Sequence, residues 1–178
     1  METPLLVLDL DETLIYSSQE VGSESSGVQV GPYFTRARPF LGEFLHDVSQ
    51  VFSIGVWSSS SPDYVAAIVQ RFLTPISEPE FSWARDKCTI TFDHLNQEYV
   101  PEKRLNKLKK LGYNLQRVLI VDDSPEKVRR NYGNAVYVDP WFGEPRDQEL
   151  RHLAEYLIRI SAEPDFRNIE KRFWKKKA

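Results

Sequence analysis

Leu5-Leu6-Val7-Leu8-Asp9-Leu10-Asp11-Glu12-Thr13-Leu14 is a short aliphatic run that stops at two carboxylates one residue apart. A continuous apolar run of this length suits a strand covered on both faces, as in a parallel sheet, and such sheets bind ligands outside the strands' carboxyl ends. Asp9 and Asp11 are therefore expected to face a shared crevice. Taken alone, one Asp capping a helix beside a solvated neighbour would explain the same residues. Two later stretches argue otherwise. Residues 51–57 are a second apolar strand ending in Ser58-Ser59-Ser60-Ser61, and Val118-Leu119-Ile120-Val121 is a third, ending in Asp122-Asp123.

Helical patterns alternate with these strands. Leu41, Phe44, Leu45 and Val48 fall on one face after Pro39, and Ser61-Pro62 opens a helix with Val65, Ile68, Val69 and Phe72 inward. Residues 101–111 read as a helix with Leu105, Leu108 and Leu111 inward and Gly112 as its stop. Ser124-Pro125 opens another, with Val128 and Tyr132 inward, and residues 147–160 close the series through Leu150, Leu153, Leu157 and Ile160. The alternation predicts an α/β fold with a doubly wound, Rossmann-like, mostly parallel sheet. Two stretches break it. Residues 16–31 are rich in Ser, Gly and Glu and read as a mobile flap beside the carboxylates, reaching to about residue 35. Residues 74–98, with Pro75, Pro79, Phe81, Trp83 and a strand around Cys88, read as a small insertion of turns and hairpin. Residues 1–165 are thus expected to form one domain, and residues 166–178 a basic tail that either solubilises the chain or touches a polyanion.

With 178 residues and 41% hydrophobic content the chain can bury a full core. Its 23 Lys plus Arg against 26 Asp plus Glu give a formal charge of -3, which offers no global attraction to nucleic acid or anionic membrane. The longest aliphatic runs are each ended by aspartate, so neither a signal peptide nor a membrane span is expected, and a cytoplasmic setting follows, or a nuclear one in a eukaryote. The single Cys88 excludes an internal disulfide, and His94 stands where a cysteine-dependent phosphatase would need arginine. Trp57, Phe81 and Trp83 are either core or the wall of a specificity pocket.

In a doubly wound sheet the strand ends carrying Asp9/Asp11, Ser58 and Asp122/Asp123 lie side by side. Two like charges about 4 Å apart repel by roughly 4 kcal/mol at an effective dielectric near 20, so four ionised carboxylates require a cation. Mg²⁺ suits oxygen ligands, and His46, His94 and His152 lack zinc spacing. Magnesium suggests phosphate, for which the Ser58 hydroxyl, loop amides near Leu10 and Ser59, and one lysine are candidate donors. There is no Walker loop and no GxGxxG, and a carboxylate is the remaining nucleophile.

Asp9-Leu10-Asp11-Glu12-Thr13, Ser58 after its strand, and Val121-Asp122-Asp123-Ser124-Pro125 resemble the motifs of the haloacid dehalogenase (HAD) superfamily. More narrowly, residues 8–14, 57–60, 99–105 and 117–125 are similar to phosphatases of the RNA polymerase II C-terminal domain and their NLI-interacting-factor-like relatives. The resemblance implies a HAD-like core without a large cap, and a Mg²⁺-dependent phosphomonoesterase working through an aspartyl-phosphate. It implies Asp9 as nucleophile, Asp11 as the acid-base, Ser58 as the second-motif hydroxyl, and Lys103 as the lysine that neutralises phosphate and nucleophile, with Lys107 as fallback. Leu10, Thr13, Ser58, Ser59 and Lys103 would hold phosphate. Asp9, Asp11 (through its carbonyl), Asp123 and, in support, Asp122 would hold Mg²⁺. Ser58 stands where many relatives have threonine, and Pro101-Glu102 where relatives often have an aliphatic residue before the lysine. An open site implies a macromolecular substrate, and the expected partner is a protein or peptide phosphorylated on serine or threonine and bound by a monomer, with a nucleic-acid end, a small phosphate ester or a non-catalytic phosphopeptide-binding role as the less favoured alternatives.

Overall fold

The computed structural model describes residues 3–19 and 27–176. In chain order they form β1 (Leu5–Leu8), β2 (Ile15–Ser18), β3 (Val28–Val30), β4 (Tyr33–Ala37), α1 (Leu41–Ser49), β5 (Ser53–Trp57) and α2 (Pro62–Ile68), which runs on into a π-helical turn, Val69–Leu73. Then come β6 (Phe81–Trp83), β7 (Thr89–Asp93), β8 (Glu98–Glu102), a 3-10 segment Leu105–Leu111, β9 (Val118–Asp122), α3 (Pro125–Val128), β10 (Ala135–Tyr137) and α4 (Glu149–Ile160).

The core is a five-stranded sheet in the order β10-β9-β1-β5-β6, parallel at every pairing. The predicted mostly parallel sheet is what the chain builds. β1 lies at its centre and its side chains alternate between two apolar layers. Leu6 and Leu8 join α1 and α4 on one face, while Leu5 and Val7 join Leu105, Leu108 and Val128 on the other. That is why the run carries no polar position: both faces are covered. At Gly55 in β5 a Cβ would collide with the Phe81 ring, so glycine lets the edge strand approach.

The chain departs from the helix-and-strand reading in three places. The described part of the expected flap is an antiparallel sheet, β2-β4-β3, whose β3–β4 hairpin turns through Gly31 at φ 57° and Pro32. Its pairing partners are far apart in sequence, and residues 20–26 of the flap lie outside the described residues. Within the expected insertion, Phe81–Trp83 is the fifth strand of the main sheet, and the hairpin β7–β8 runs to Glu102. Pro101 and Glu102 are therefore strand, and only the 3-10 segment remains of the expected helix. Tyr132 is 72% exposed because α3 gives way to a tighter turn after Val128, so the 3.6-residue spacing from Val128 is lost; Leu111, one residue before the left-handed Gly112, is 58% exposed.

The basic C-terminal stretch is anchored by Lys171 and Trp174, while Arg172, Phe173, Lys175 and Lys176 are exposed and Lys177 lies outside the described residues. Phe166 and Trp174 are buried, and the Trp174 indole donates to the Tyr137 carbonyl at 2.7 Å while its ring meets Tyr156. The buried Lys171 ammonium donates to the Phe166 and Ile169 carbonyls. Among the described residues no helix is long and apolar enough to cross a membrane.

Arg38, 1% exposed, locks the flap's return to the core. Its guanidinium donates to both Asp147 carboxylate oxygens at 2.9 and 2.8 Å and to the Thr13 carbonyl at 3.1 Å. Burial raises the Asp147 pKa, but the Arg38 hydrogen bond and the Glu149 amide outweigh it and hold the carboxyl below its ordinary value. Asp147→Asn should cost about 3 kcal/mol, the lower end for breaking a buried pair. A depressed folded-state pKa stabilises above the ordinary carboxylate range and ceases to do so as pH falls through the folded value. Urea denaturation should therefore show the gap between wild type and variant shrinking below about pH 4; a gap independent of pH would refute the assignment.

Candidate active site

The carboxyl ends of β1, β5 and β9 converge as the pattern requires. The Asp9 amide donates to the Val121 carbonyl at 3.1 Å, which carries the β1–β9 register one step beyond the strand. The chain then winds tightly. The Leu10 carbonyl accepts from the amides of Thr13, Leu14 and Ile15, and Glu12 sits at φ 59°, a left-handed position costing a non-glycine residue about 1 kcal/mol. Asp9 is thereby held at the strand tip, 2% exposed, and Thr13 returns to donate its hydroxyl to Asp9 Oδ2 at 3.0 Å.

Lys103, fully buried, donates to Asp9 Oδ1 and to Asp122 Oδ2, the latter at 2.6 Å. Burial alone would lower its pKa, but the two carboxylates raise it above the ordinary lysine value, so the ammonium stays charged. The other Asp122 oxygen accepts from the Ser124 amide at 2.9 Å. Asp123 is half-buried beside them, accepting from the Ser124 hydroxyl at 3.2 Å, and burial followed by the Asp9 charge pushes its carboxyl up. One oxygen from each of Asp9, Asp122 and Asp123 lies within 4.8 Å of the others.

Asp11 stands apart from this trio. Its Oδ1 accepts from the Tyr64 hydroxyl at 2.6 Å and its Oδ2 from the Ser60 hydroxyl at 2.8 Å, with Ser58 at 3.5 Å. Tyr64 in turn shares a 2.6 Å hydrogen bond with Ser17, and Ser17 a 2.8 Å bond with the buried Thr35, so hydroxyls of the flap sheet reach the carboxylate. Burial pushes the Asp11 carboxyl up, the Tyr64 bond pulls it back, and the Asp9 charge adds to the rise. Glu12 is pushed to about 7 by burial and by the neighbouring aspartates. The donor set fits a hard divalent cation. The carboxylates are all oxygen donors, as a hard cation prefers, and among the described residues five acids, Asp9, Asp11, Glu12, Asp122 and Asp123, crowd around the two cations Lys103 and Lys127.

The remaining candidates divide. Ser58 is 1% exposed and its hydroxyl accepts from the Ser60 amide at 3.0 Å. The Leu10 side chain belongs to the core, so only its main chain can serve a ligand. Ser59 lines an open groove of about 460 Å³ with Asp11, Ser61, Tyr33, Tyr64 and Lys127. Lys107 lies outside the cluster, its exposed ammonium donating to the Lys87 carbonyl at 2.5 Å. Trp57 is fully buried in edge-on contact with Trp83, at 4.8 Å between ring centres, and is core. The sequence reading missed Tyr64, Ser60 and Lys127. Tyr64 and Lys127 occupy the first turns of helices that start at the sheet's carboxyl end, the one signal that could have marked them.

The sequence profile of the NLI interacting factor-like phosphatases matches residues 4–167. The chain belongs to that family. Its members are phosphatases, hydrolases of phosphoric monoesters. A relative called CTD small phosphatase-like protein 2, from Dictyostelium discoideum, is 31% identical over 91% of the chain, and CTD nuclear envelope phosphatase 1B of Danio rerio is 27% identical over 93%. The chain spans 28% of the first relative's length and 70% of the second's. The fold is that of Fcp1, an essential RNA polymerase II CTD phosphatase, with a TM-score of 0.66 at 17% identity, covering 89% of this chain and 62% of that one.

Lys103→Met removes the cation between Asp9 and Asp122 while keeping the side-chain volume. The variant should lose about 3 to 5 kcal/mol at neutral pH, the cost of a buried charge left without its partner. Part should return on acidification, as the Asp122 carboxyl, pushed up to about 7 by burial, takes up a proton instead. Chemical denaturation at pH 7.5 and 5 would measure this, and a loss that grew at the lower pH would rule it out.

Proposed function

We propose that the chain is a Mg²⁺-dependent phosphatase of protein phosphoserine and phosphothreonine that works through an aspartyl-phosphate on Asp9. The observation that carries this reading is the Asp9 carboxylate, buried and aligned between Lys103 and Thr13, beside oxygens able to hold a divalent ion and next to a second acid kept apart from it. Asp9 and Asp123 side chains with the Asp11 carbonyl would hold Mg²⁺, Asp122 orienting Lys103. When bound, the metal supplies the positive charge that lets an anionic nucleophile approach an anionic phosphate.

Asp9 Oδ attacks phosphorus, the bond to the substrate oxygen breaks, and Asp11 delivers the proton that oxygen needs. Water then attacks the aspartyl-phosphate, Asp11 taking its proton, and Asp9 is regenerated. Lys103, the Ser58 hydroxyl, the Thr13 hydroxyl and the Leu10 and Ser59 amides are the donors near the transferring group. Tyr64 and Ser60 hold Asp11 as positioning residues. The hydroxyl-lined groove is open, and the flap sheet and the β7–β8 hairpin are too small to enclose a small molecule, which favours a phosphorylated loop or tail of a protein. A nucleic-acid end is less favoured because much of the basic stretch that would guide it is already engaged, Lys171 with main-chain carbonyls, Arg172 with Glu170 and Lys175 with Asp139 and Glu149. We place this activity in the cytosol or nucleus.

Asp9→Asn should abolish phosphate release and acid-stable labelling of the protein. Asp11→Asn should slow turnover by about 10²- to 10⁴-fold, and chelation of Mg²⁺ should silence the wild type. Label trapped on Asp11 or on a serine would exclude the scheme.

Tyr64→Phe offers a separate test of the acid. If Tyr64 orients Asp11, its loss should lower kcat/KM for phosphoserine peptides by about tenfold, a part of the roughly 10²- to 10⁴-fold range of general acid catalysis, yet barely change kcat/KM for p-nitrophenyl phosphate, whose leaving group needs no proton in the phosphorylation step that kcat/KM reports. In an Asp11→Asn background the same substitution should add nothing. Equal losses on both substrates would mark Tyr64 as merely structural.

A further inference from the structure

Two adjoining cavities of about 440 and 530 Å³ share Arg130, Asn131, Asn134 and Arg167 as a common wall and so form one groove. It opens where β9 and β10 begin, whereas the carboxylates sit where β1 and β9 end. Its floor is rigid. Asn131 donates to the Lys103 carbonyl at 2.5 Å and accepts from the Leu105 amide at 3.0 Å, and Asn134 donates to the carbonyls of Leu115 and Val118 at 2.6 and 2.8 Å.

The walls carry an excess of positive charge in a chain whose formal charge is -3. Arg104, Lys109, Arg130 and Arg167 face the groove, and the one acid lining it, Asp165, already accepts from the Gln116 side chain and the Arg167 amide. Glu102 is shared among Arg104, Arg129 and Arg130, the last only at 3.9 Å. Among the described residues the side chains of Lys109 and Arg167 have no ion-pair partner.

We propose that this groove docks an acidic, Asp- or Glu-rich stretch of a polypeptide, at a distance from the phosphorylated residue being hydrolysed. A row of separated cations along connected cavities matches a string of carboxylates better than a single anion, and each guanidinium fork can donate two parallel hydrogen bonds to one carboxylate. The apolar lining is limited to Leu105 and Leu115 beside the Tyr132 ring, so an amphipathic helix would find no face to bury, and a single-stranded nucleic acid would find one stacking ring where it uses several. As a device for choosing substrates, the groove rests on the phosphatase reading above; as a binding surface it can be tested without it.

The binding arm uses a fluorescent Asp/Glu-rich peptide that carries no phosphate, titrated with the full chain and with Arg130→Glu/Arg167→Glu. Anisotropy should show saturable, salt-sensitive binding to the wild type and at least a tenfold weaker response from the variant, as expected when modest exposed ion pairs become repulsive. The kinetic arm compares phosphoserine peptides joined through neutral spacers to either an acidic or a neutral stretch. For the wild type the acidic stretch should lower KM by about tenfold at unchanged kcat, an effective-concentration gain that the variant loses. Both proteins should hydrolyse p-nitrophenyl phosphate equally, which shows the variant folded; should it not, Lys109→Gln/Arg167→Gln replaces it. Equal binding by wild type and variant, or tighter binding of a single-stranded oligonucleotide than of the acidic peptide, would overturn the proposal. A chain that binds the acidic peptide but releases phosphate from no ester would overturn the phosphatase reading instead and leave the groove standing.

Discussion

The cluster of carboxylates at the end of the sheet depends on one buried ammonium. Lys103 lies fully buried between Asp9 and Asp122, and the desolvation it suffers is offset only because two carboxylates meet it at hydrogen-bond distance. Its position is set by main-chain contacts, its amide donating to the Lys127 carbonyl at 2.7 Å and its carbonyl accepting from Asn131. Its neighbour Glu102 is equally buried and points the other way, as successive residues in extended chain must, into a cluster with Arg104 and Arg129. Two adjacent residues of opposite charge thus anchor the end of the β7–β8 hairpin on one side and the Asp9 carboxylate on the other.

Asp9 and Asp11 are separated by a single residue and yet live in different surroundings. Asp9 faces the Lys103 ammonium and the carboxylates of Asp122 and Asp123, whereas Asp11 faces hydroxyls of Tyr64 and Ser60 and a groove open to solvent. The tight winding after β1 makes this possible. With the Leu10 carbonyl taking three amides and Glu12 in a left-handed conformation, the two aspartates leave the turn in different directions. Neutral donors can hold a carboxylate without pinning it as a salt bridge would, which suits the proton carrier proposed for Asp11.

The flap sheet and the hairpin do different work around this centre. The flap contributes Ser17, Tyr33 and Thr35 to the groove and to the hydroxyl chain behind Asp11, and Arg38 at its end ties it to Thr13 and Asp147. The hairpin contributes no atom to the carboxylate cluster and instead delivers Lys103.

The amino-acid sequence by itself determined the parallel core and the converging acids. Apolar runs without a polar position can only be strands covered on both faces, and polar residues placed directly after them must emerge at the sheet's carboxyl end; Asp9, Asp11, Ser58, Asp122 and Asp123 were legible for that reason. Lys103 was legible through family resemblance, since nothing in its local pattern separates it from Lys107. Tertiary structure alone decided which lysine is buried, that Phe81–Trp83 completes the main sheet, that the flap is a sheet, and that Trp174 docks on Tyr137. It also decided that Tyr64 and Ser60 hold Asp11 and that Arg130 and Arg167 border one groove. Each of these depends on contacts between residues far apart in the chain, and periodicity in sequence records only which face of an element is buried, not which partner it is buried against.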